Sequence, residues 1–223
     1  MLSGLSDLIY PRVCEVCGKS LVRSERYLCT ACLADFPFAD QEYAADEDLL
    51  GQFECACRPE RLSALFYYDK FSDYKKLVYL VKYHAYRELG FWLGRMLGEK
   101  IQSGCRADCI VPVPLHRKRE RKRGFNQALE IAKGINEILH LELMENALVR
   151  VRNNVSQTGK NAAERLKNVE NIFQLVTPEQ FRGRHVLLVD DVITTGATIG
   201  ACLHTIAAVG EVRFSLGCLA RTV

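Results

Sequence analysis

The pattern of hydrophobic and polar positions divides the chain near residue 58. Beyond that point, short apolar runs alternate with stretches whose apolar residues recur at helical spacing. The run HVLLVDDV at 185–192 is the clearest strand, because four consecutive apolar residues are typical of a central parallel strand covered on both faces. The pattern predicts strands at 62–69, 109–115, 148–152, 185–192 and 212–220, and helices at 74–83, 88–101, 125–139 and about 197–208. Strands that alternate with helices indicate an α/β fold built on a parallel sheet.

Residues 1–58 differ from the rest of the chain. They hold six of the ten cysteines and little helical or strand periodicity, and they include an acidic stretch, 40–48, that we interpret as a linker. We therefore predict two domains: a metal-binding module with its linker at 1–58, and an α/β domain at 59–223.

Composition excludes several classes of protein. Hydrophobic residues make up 48% of the 223 residues, which is enough for a buried core and too many for a disordered chain. The net charge is only +3, so bulk charge does not indicate a histone-like binder of nucleic acid. No transmembrane segment and no signal peptide are expected, because the apolar runs are short and the N-terminus lacks a basic region. We expect a cytoplasmic protein, in whose reducing surroundings paired cysteines indicate metal or redox chemistry rather than disulfides.

Four cysteines form a C-x2-C-x11-C-x2-C pattern: Cys14, Cys17, Cys29 and Cys32. Two such pairs can supply four thiolates to one tetrahedral Zn²⁺, and a site closed by four protein ligands is structural. Two redox-active pairs are the alternative, but neither pair opens a helix after a strand. The remaining cysteines at 105, 109, 202 and 218 lie in apolar surroundings and are predicted to be small core residues.

The strongest chemical signal is the sequence VLLVDDVITTGAT at 186–198. Asp190 and Asp191 follow a buried strand, at the end where open parallel sheets bind ligands. The turn at 194–198 opens the next helix, and its backbone N–H groups and three hydroxyls can surround a phosphate. Gly196 allows a close approach to the backbone. Carboxylates beside a phosphate cradle suit a sugar phosphate. The plainer interpretation is a helix capped by aspartate, with ordinary threonines.

This stretch closely resembles the phosphoribosyl pyrophosphate (PRPP) signature of type I phosphoribosyltransferases. The resemblance implies a parallel sheet of about five strands flanked by helices, with a variable hood over the acceptor. It also implies Mg²⁺ bound with PRPP, and catalytic carboxylates at Asp190 and Asp191 that bind the ribose 2′ and 3′ hydroxyls. The 5′-phosphate is then held by Thr194, Thr195, Gly196, Ala197 and Thr198.

Three further stretches narrow the resemblance to the ComF family, whose members are linked to DNA uptake in natural competence. They are the four-cysteine N-terminus, the sequence PLHRKRERKRGFNQA at 114–128, and Gln157 with Arg165, Asn168 and Val169. The fold class that this resemblance implies is a type I phosphoribosyltransferase-like parallel sheet with a small N-terminal zinc module. The chain departs from the family at Cys55 and Cys57, where only C-x-C stands in place of a second CxxC-like pair, and that puts a second metal site in doubt.

The basic segment 117–123 carries six basic side chains and one acid. By resemblance, Leu115, His116 and Arg117 belong to a loop that cradles pyrophosphate. The surplus charge of Arg119, Arg121, Lys122 and Arg123 suggests a surface for single-stranded DNA. A solvated charge run at the start of a helix is the alternative. Phe125 fits the apolar face of the following helix better than a base-stacking role.

Two other segments are weaker candidates for the ligand site. Residues 157–165 are in about the right place for a mobile loop over PRPP, although a plain surface loop explains them nearly as well. Lys82, at the end of a predicted helix, is placed either near phosphate or in a basic last turn that the helix dipole favours.

Two classes of function remain open from the sequence. The chain is either an enzyme that transfers phosphoribose from PRPP to an unidentified nitrogenous acceptor, or a non-catalytic PRPP- or single-stranded-DNA-binding accessory protein of the DNA-uptake machinery. No motif identifies the acceptor.

Overall fold

The fold is built on a five-stranded sheet in which every neighbouring pair is parallel. The computed structural model describes residues 11–39, 49–53, 57–69, 71–84, 86–152 and 172–222. The strands of the sheet, in the spatial order β1-β7-β6-β2-β3, are β1 (Arg61–Tyr68), β7 (Arg213–Thr222), β6 (His185–Ile193), β2 (Cys109–Pro112) and β3 (Glu142–Leu143). The predicted α/β class and five-stranded parallel sheet are confirmed.

Two further strands, β4 (Leu148–Arg150) and β5 (Phe173–Leu175), form a separate antiparallel pair. The pattern predicted a strand at 148–152, and the structure shows that this strand stands outside the main sheet. Strand β3 was not predicted, because two residues are too few to show a period.

The helices are α1 (Thr30–Ala34), α2 (Lys75–Tyr83), α3 (Arg87–Ile101), α4 (Arg117–Arg123), α5 (Gln127–Leu139) and α6 (Ala197–Ala207), with a 3₁₀ turn at Pro178–Phe181. No helix in the described ranges is both long and apolar enough to cross a bilayer.

Helices α2, α3 and α5 cover one face of the sheet. Helices α3 and α5 touch backbone to backbone, since a Cβ on Gly134 would lie 2.0 Å from the carbonyl oxygen of Phe91 and one on Gly94 would lie 2.3 Å from that of Ile131. Only glycine permits this approach. Helix α6, the 3₁₀ turn, the β4–β5 pair and residues 49–53 cover the opposite face.

The N-terminal four-cysteine segment, residues 11–39, is called the ribbon below. It packs on the same face of the sheet as α2 and α3. Val16, Tyr27 and Phe36 are buried in one apolar cluster with residues of both helices. The Tyr27 ring lies 5.3 Å from the ring of Trp92 on α3. The ribbon is therefore attached to the α/β domain through a shared core.

The basic segment forms a short helix of its own, α4, whose first residue, Arg117, was expected in the preceding loop. His116 caps its start, with Nδ1 accepting from the Lys118 backbone N–H at 3.3 Å, and Gly124 ends it at φ 82°. Its last turn is entirely basic, which suits the negative end of the helix dipole. Because no apolar residue lies within it, hydrophobic periodicity gives no sign of a helix here.

Candidate functional site

The carboxyl ends of the central strands gather the predicted ligand residues at one edge of the sheet. The Val113 backbone N–H donates to the Val189 carbonyl at 2.8 Å, so the chain leading to α4 starts beside Asp190. On the other side of β6, Asp190 is in register with Cys218 of β7. Tyr68 ends strand β1 at the same edge.

Asp190 lies on the side of the sheet that α6 and the β4–β5 pair cover, because it alternates with Val189, which packs on the opposite side. Its Oδ1 accepts the Asp191 backbone N–H at 2.8 Å. Burial and the adjacent charge of Asp191 raise the pKa of Asp190 to about 8, against the opposing attraction of Lys82 and Arg150. Asp190 is therefore a carboxyl group that holds its proton near neutral pH.

Asp191 alternates to the other side of the sheet, where α2 supplies its partner. Lys82 Nζ lies 3.5 Å from Asp191 Oδ1, and both side chains are largely buried. Burial, with a further contribution from Asp191, raises the pKa of Tyr68. The structure thus places Lys82 beside Asp191 and in the last turn of α2, so both features of its two interpretations are compatible, and its proximity to a phosphate stays a prediction. The side chains of Asp190 and Asp191 therefore face the two different layers that cover the two sides of the sheet.

Arg150 is a site residue that the sequence did not single out. It lies on β4 with its guanidinium carbon 5.4 Å above the ring of Phe173 on β5. Burial, and then the nearby charge of Arg119, lower the pKa of Arg150, whereas the charge of Asp190 raises it. Two arginines and a carboxylate therefore share one locality, which favours an anionic ligand with hydroxyl groups.

The turn after β6 leads into α6 as predicted. Thr194, Thr195 and Ala197 are exposed and Thr198 is half-buried, so the three threonines are accessible at the start of the helix. Gly196 has φ 71°, in the left-handed region that favours glycine.

The close approach at Gly196 is made by the chain itself. A Cβ at this position would lie 2.9 Å from Leu49 Cδ1 and 3.1 Å from Phe53 Cζ. Phe53 also lies against Gly200, one turn further along α6. The sequence assigned the missing Cβ to the approach of a phosphate, and the structure shows that residues 49–53 occupy that side of the turn.

The residues assigned to pyrophosphate lie at the start of α4: Leu115 and His116 are half-buried, and Arg117 is exposed. Arg123 differs from the expectation of an outward surplus charge. Its NH1 donates to Gln127 Oε1 at 3.0 Å, and its guanidinium lies 5.4 Å above the ring of Tyr83. Phe125 is 5% exposed, so the prediction that it belongs to the core is confirmed. Gln157, Arg165, Asn168 and Val169 lie outside the described residues.

The four N-terminal cysteines converge. The Sγ atoms of Cys14, Cys17, Cys29 and Cys32 all lie within 4.8 Å of one another. The Cys17 and Cys29 sulfurs are 3.7 Å apart, close to the separation of about 3.8 Å that a tetrahedron with Zn–S bonds of about 2.3 Å requires. This donor set and spacing fit a closed, structural zinc site.

Backbone hydrogen bonds in the ribbon favour the thiolate form of Cys14. Burial opposes ionisation of Cys14, but hydrogen bonds from the backbone at Cys17, Cys29 and Val16 outweigh it and lower the pKa of Cys14 to about 6. Zinc binds the thiolate form, so these bonds favour metal uptake at neutral pH. Cys55 lies outside the described residues.

The cysteines of the α/β domain behave largely as predicted. Cys109, Cys202 and Cys218 are completely buried, as expected of small core residues, whereas Cys105 is half-buried. Burial raises the pKa of the thiols of Cys202 and Cys218 beside Asp190, which makes both poor nucleophiles at neutral pH.

Comparison with known proteins gives two family matches. Residues 5–44 match the double zinc ribbon domain, and residues 122–222 match the phosphoribosyl transferase domain. The chain is 29% identical over 220 residues to the DNA utilization protein YhgH of Escherichia coli K12, covering 95% of this chain and 91% of that protein.

Two proteins with competence names also match. Competence protein F of Haemophilus influenzae is 32% identical over 142 residues, which are 59% of this chain and 62% of that protein. Competence protein ComFC of Bacillus subtilis is 39% identical over 90 residues, which are 40% of this chain and 34% of that protein. With a four-cysteine ribbon joined to a parallel phosphoribosyltransferase-type sheet, and with relatives that carry competence names, the comparisons confirm the predicted resemblance to the ComF family.

Proposed function

We propose that the protein binds PRPP at the carboxyl end of β6 and transfers its phosphoribosyl group to a nitrogenous acceptor. One observation carries the proposal: Asp190 and Asp191 lie among the last four residues of the central strand β6, and the threonine-rich turn that opens α6 follows Ile193. Carboxylates for ribose hydroxyls and a helix start for a phosphate then stand in the order that a phosphoribosyl ligand requires.

Each part of the ligand has a partner of suitable charge. The 5′-phosphate belongs at the turn Thr194–Thr198, and the ribose hydroxyls at Asp190 and Asp191. The diphosphate belongs near Leu115, His116 and Arg117, with Arg119 and Arg150 adding positive charge. Forked guanidinium groups suit phosphate oxygens.

In the reaction, the bond between C1 of the ribose and the diphosphate oxygen breaks, and a bond from C1 to the acceptor nitrogen forms. Pyrophosphate leaves and the acceptor nitrogen loses a proton. The described residues act by holding the ribose and the leaving group in line. Carboxylate oxygens are the ligands that Mg²⁺ prefers, so Asp191, or Asp190 once deprotonated, could hold a magnesium ion, which would neutralise diphosphate charge.

Isothermal titration with PRPP and Mg²⁺ tests the proposal, followed by measurement of pyrophosphate release with purine, pyrimidine and nicotinic bases. Asp190→Asn and Asp191→Asn should each weaken PRPP binding at least tenfold while the protein stays folded. Glu145→Gln, at an exposed carboxylate outside the site, is the matched control. Absence of binding heat for the wild type at millimolar PRPP would rule out the site. Binding without pyrophosphate release from any base would favour the non-catalytic accessory role.

A second candidate function is the binding of single-stranded DNA. Tyr79 and Tyr83 on α2 are 55% and 62% exposed, and their rings lie 4.9 Å apart. Arg123 of the basic helix covers the Tyr83 ring. Exposed aromatic rings beside clustered cations are typical of proteins that stack bases and contact the phosphate backbone. The relatives named for DNA utilization and competence agree with this role.

Fluorescence anisotropy with labelled single-stranded DNA at several salt concentrations tests this second function. Arg121→Gln with Lys122→Gln should lower the magnitude of the salt slope by about 0.7 for each DNA phosphate that is no longer neutralised, with little change in PRPP affinity. Tyr83→Ser should weaken binding without changing the slope. Lys19→Gln, in the ribbon, is the control. Negligible binding by the wild type at physiological salt would leave α4 as a solvated charged helix.

A further inference from the structure

Helix α2 joins the cysteine ribbon to the candidate ligand site. Just before its start, the Tyr74 hydroxyl donates to the Cys32 carbonyl at 2.8 Å. In its first turn, Lys76 Nζ donates to the Val16 carbonyl at 2.9 Å. At its end, Lys82 pairs with Asp191 at 3.5 Å. One helix of nine residues therefore holds the ribbon with its first turn and the site with its last.

Both accepting carbonyls belong to the metal-binding backbone. Cys32 is one of the four converging cysteines, and Val16 lies between the two cysteines of the first pair. A structural zinc ion fixes the backbone that carries its ligands, and such ribbons lose their structure without it. The two anchors of α2 are therefore defined only while the ribbon holds its metal.

A buried line of aromatic rings follows the same route. The Phe36 ring lies 5.3 Å from Tyr74 and 5.2 Å from Phe66, and the Phe66 ring lies 6.1 Å from Tyr68. Tyr68 ends β1 beside Asp191, whose charge acts on its hydroxyl. Phe36 and Phe66 are almost completely buried. Because buried side chains are closely packed, a shift of the ribbon must also shift these rings.

We propose that the metal state of the ribbon sets the ligand affinity of the Asp190–Asp191 site, with Tyr74 and Lys76 as the positioning residues that transmit it through α2. The zinc-loaded ribbon holds Lys82 against Asp191 in the geometry that the ligand requires, and loss of the metal releases it. The inference rests on the proposed binding of PRPP. It assigns the ribbon a regulatory role toward that site.

Thermodynamic linkage makes the proposal reciprocal. If zinc raises the affinity for PRPP by a given factor, PRPP must raise the affinity for zinc by the same factor. A ribbon that served only as a stabilising appendage would show no such dependence.

The experiment uses the full-length, zinc-loaded protein and the double variant Tyr74→Phe with Lys76→Met, which removes both hydrogen bonds and keeps side-chain size. Lys75→Met with Lys19→Met is the matched control, since it makes the same lysine change at an exposed position of α2 and in the ribbon. Zinc content is checked first, and both variants are expected to retain one ion.

Three quantities are then measured. PRPP affinity with Mg²⁺ should fall about three- to tenfold in the double variant and stay unchanged in the control, the loss expected from hydrogen bonds that act on the site through another residue. Zinc affinity, by competition with a chromogenic chelator, should rise with PRPP in the wild type and less so in the double variant. Amide hydrogen exchange of 75–84, without ligand, should be faster in the double variant.

The results separate this inference from the proposed function. Suppose that the wild type binds PRPP, that its zinc affinity does not change with PRPP, and that the double variant binds PRPP as tightly as the control. The coupling is then refuted, while the proposed function stands. If the wild type does not bind PRPP, the proposed function fails, and hydrogen exchange decides the mechanical link. Unchanged exchange of 75–84 in both the double variant and zinc-depleted protein would then overturn it.

Discussion

Replacing Asp190 by asparagine should stabilise the ligand-free protein and at the same time weaken its binding of PRPP. Asparagine keeps the side-chain shape, and its Oδ1 can still accept the Asp191 backbone N–H. What it removes is a carboxyl group that is unfavourable to ionise at this place, because burial and the charge of Asp191 raise the pKa of Asp190. The ionised carboxyl group therefore lowers the stability of the ligand-free protein, although it is needed to bind the ligand.

The sign and size of the effect follow from proton linkage. The pKa of Asp190 lies at about 8 in the folded protein and at 3.8 ordinarily, so the folded state binds more protons between these values and wild-type stability falls as pH rises. At about 1.4 kcal/mol per pH unit, the upper limit is about 6 kcal/mol above pH 8. The Asp190 side chain still reaches solvent, and the variant leaves Arg150 with less compensating charge. We therefore expect a gain of about 1–2 kcal/mol at pH 8.

The assay is urea unfolding of the wild type and of Asp190→Asn at pH 6 and at pH 8.5, together with thermal melts. The gap between the two proteins should widen toward alkaline pH, and the variant should melt about 3–6 °C higher at pH 8.5. Zinc site and histidines are common to both proteins, so their titrations cancel in the difference. Glu145→Gln, at an exposed carboxylate, should show no gap at either pH.

Two results would refute the reasoning. A variant less stable than the wild type at pH 8.5 would mean that the Asp190 charge contributes more to Arg150 and Lys82 than its burial costs. A gap that is equal at both pH values would mean that Asp190 titrates near its ordinary value.

Three further outcomes follow from the structure. Gly134→Ala should destabilise the protein by about 3 kcal/mol or more in urea unfolding, because the added Cβ would clash with the Phe91 carbonyl. Gly90→Ala is its control and should be tolerated, because the added Cβ would make an ordinary contact at 3.5 Å. Cys14→Ser should abolish the single equivalent of zinc in elemental analysis and lower the melting temperature; two equivalents in the wild type would instead indicate a second site. Burial lowers the pKa of His185, so its contribution to stability should be lost as pH falls below about 6.5, and His185→Asn should flatten the pH dependence of urea midpoints between about pH 5 and 7.

Features written in consecutive residues could be predicted from the sequence. Strand β6, its two aspartates and the glycine turn form one local pattern, and the two cysteine pairs define their own geometry by spacing. Lys82 was a candidate because it ends an amphipathic helix, but only the fold shows that this end reaches Asp191.

Features that depend on distant partners could not be predicted. Arg150 reaches the site because Leu148–Arg150 pairs with Phe173–Leu175, and nothing within LVRVR indicates that pairing. The cover over Gly196 comes from Leu49 and Phe53, about 150 residues earlier in the chain. Helix α4 has caps but no apolar face, so its start and end, at His116 and Gly124, carry the only local signal for it.

The contact between α3 and α5 has a consequence for how the molecule opens. Where side chains separate two helices, one helix can slide while rotamers adjust, but at Gly94 and Gly134 the main chains themselves meet and no rotamer can absorb a shift. These helices must therefore separate completely or not at all. Their amides should exchange only through global unfolding, as the slowest unit of the fold, while the layer that holds Arg150 and residues 49–53 opens in smaller steps. We therefore expect the smallest motion at the α3–α5 contact itself, on the side of the sheet that Asp191 faces.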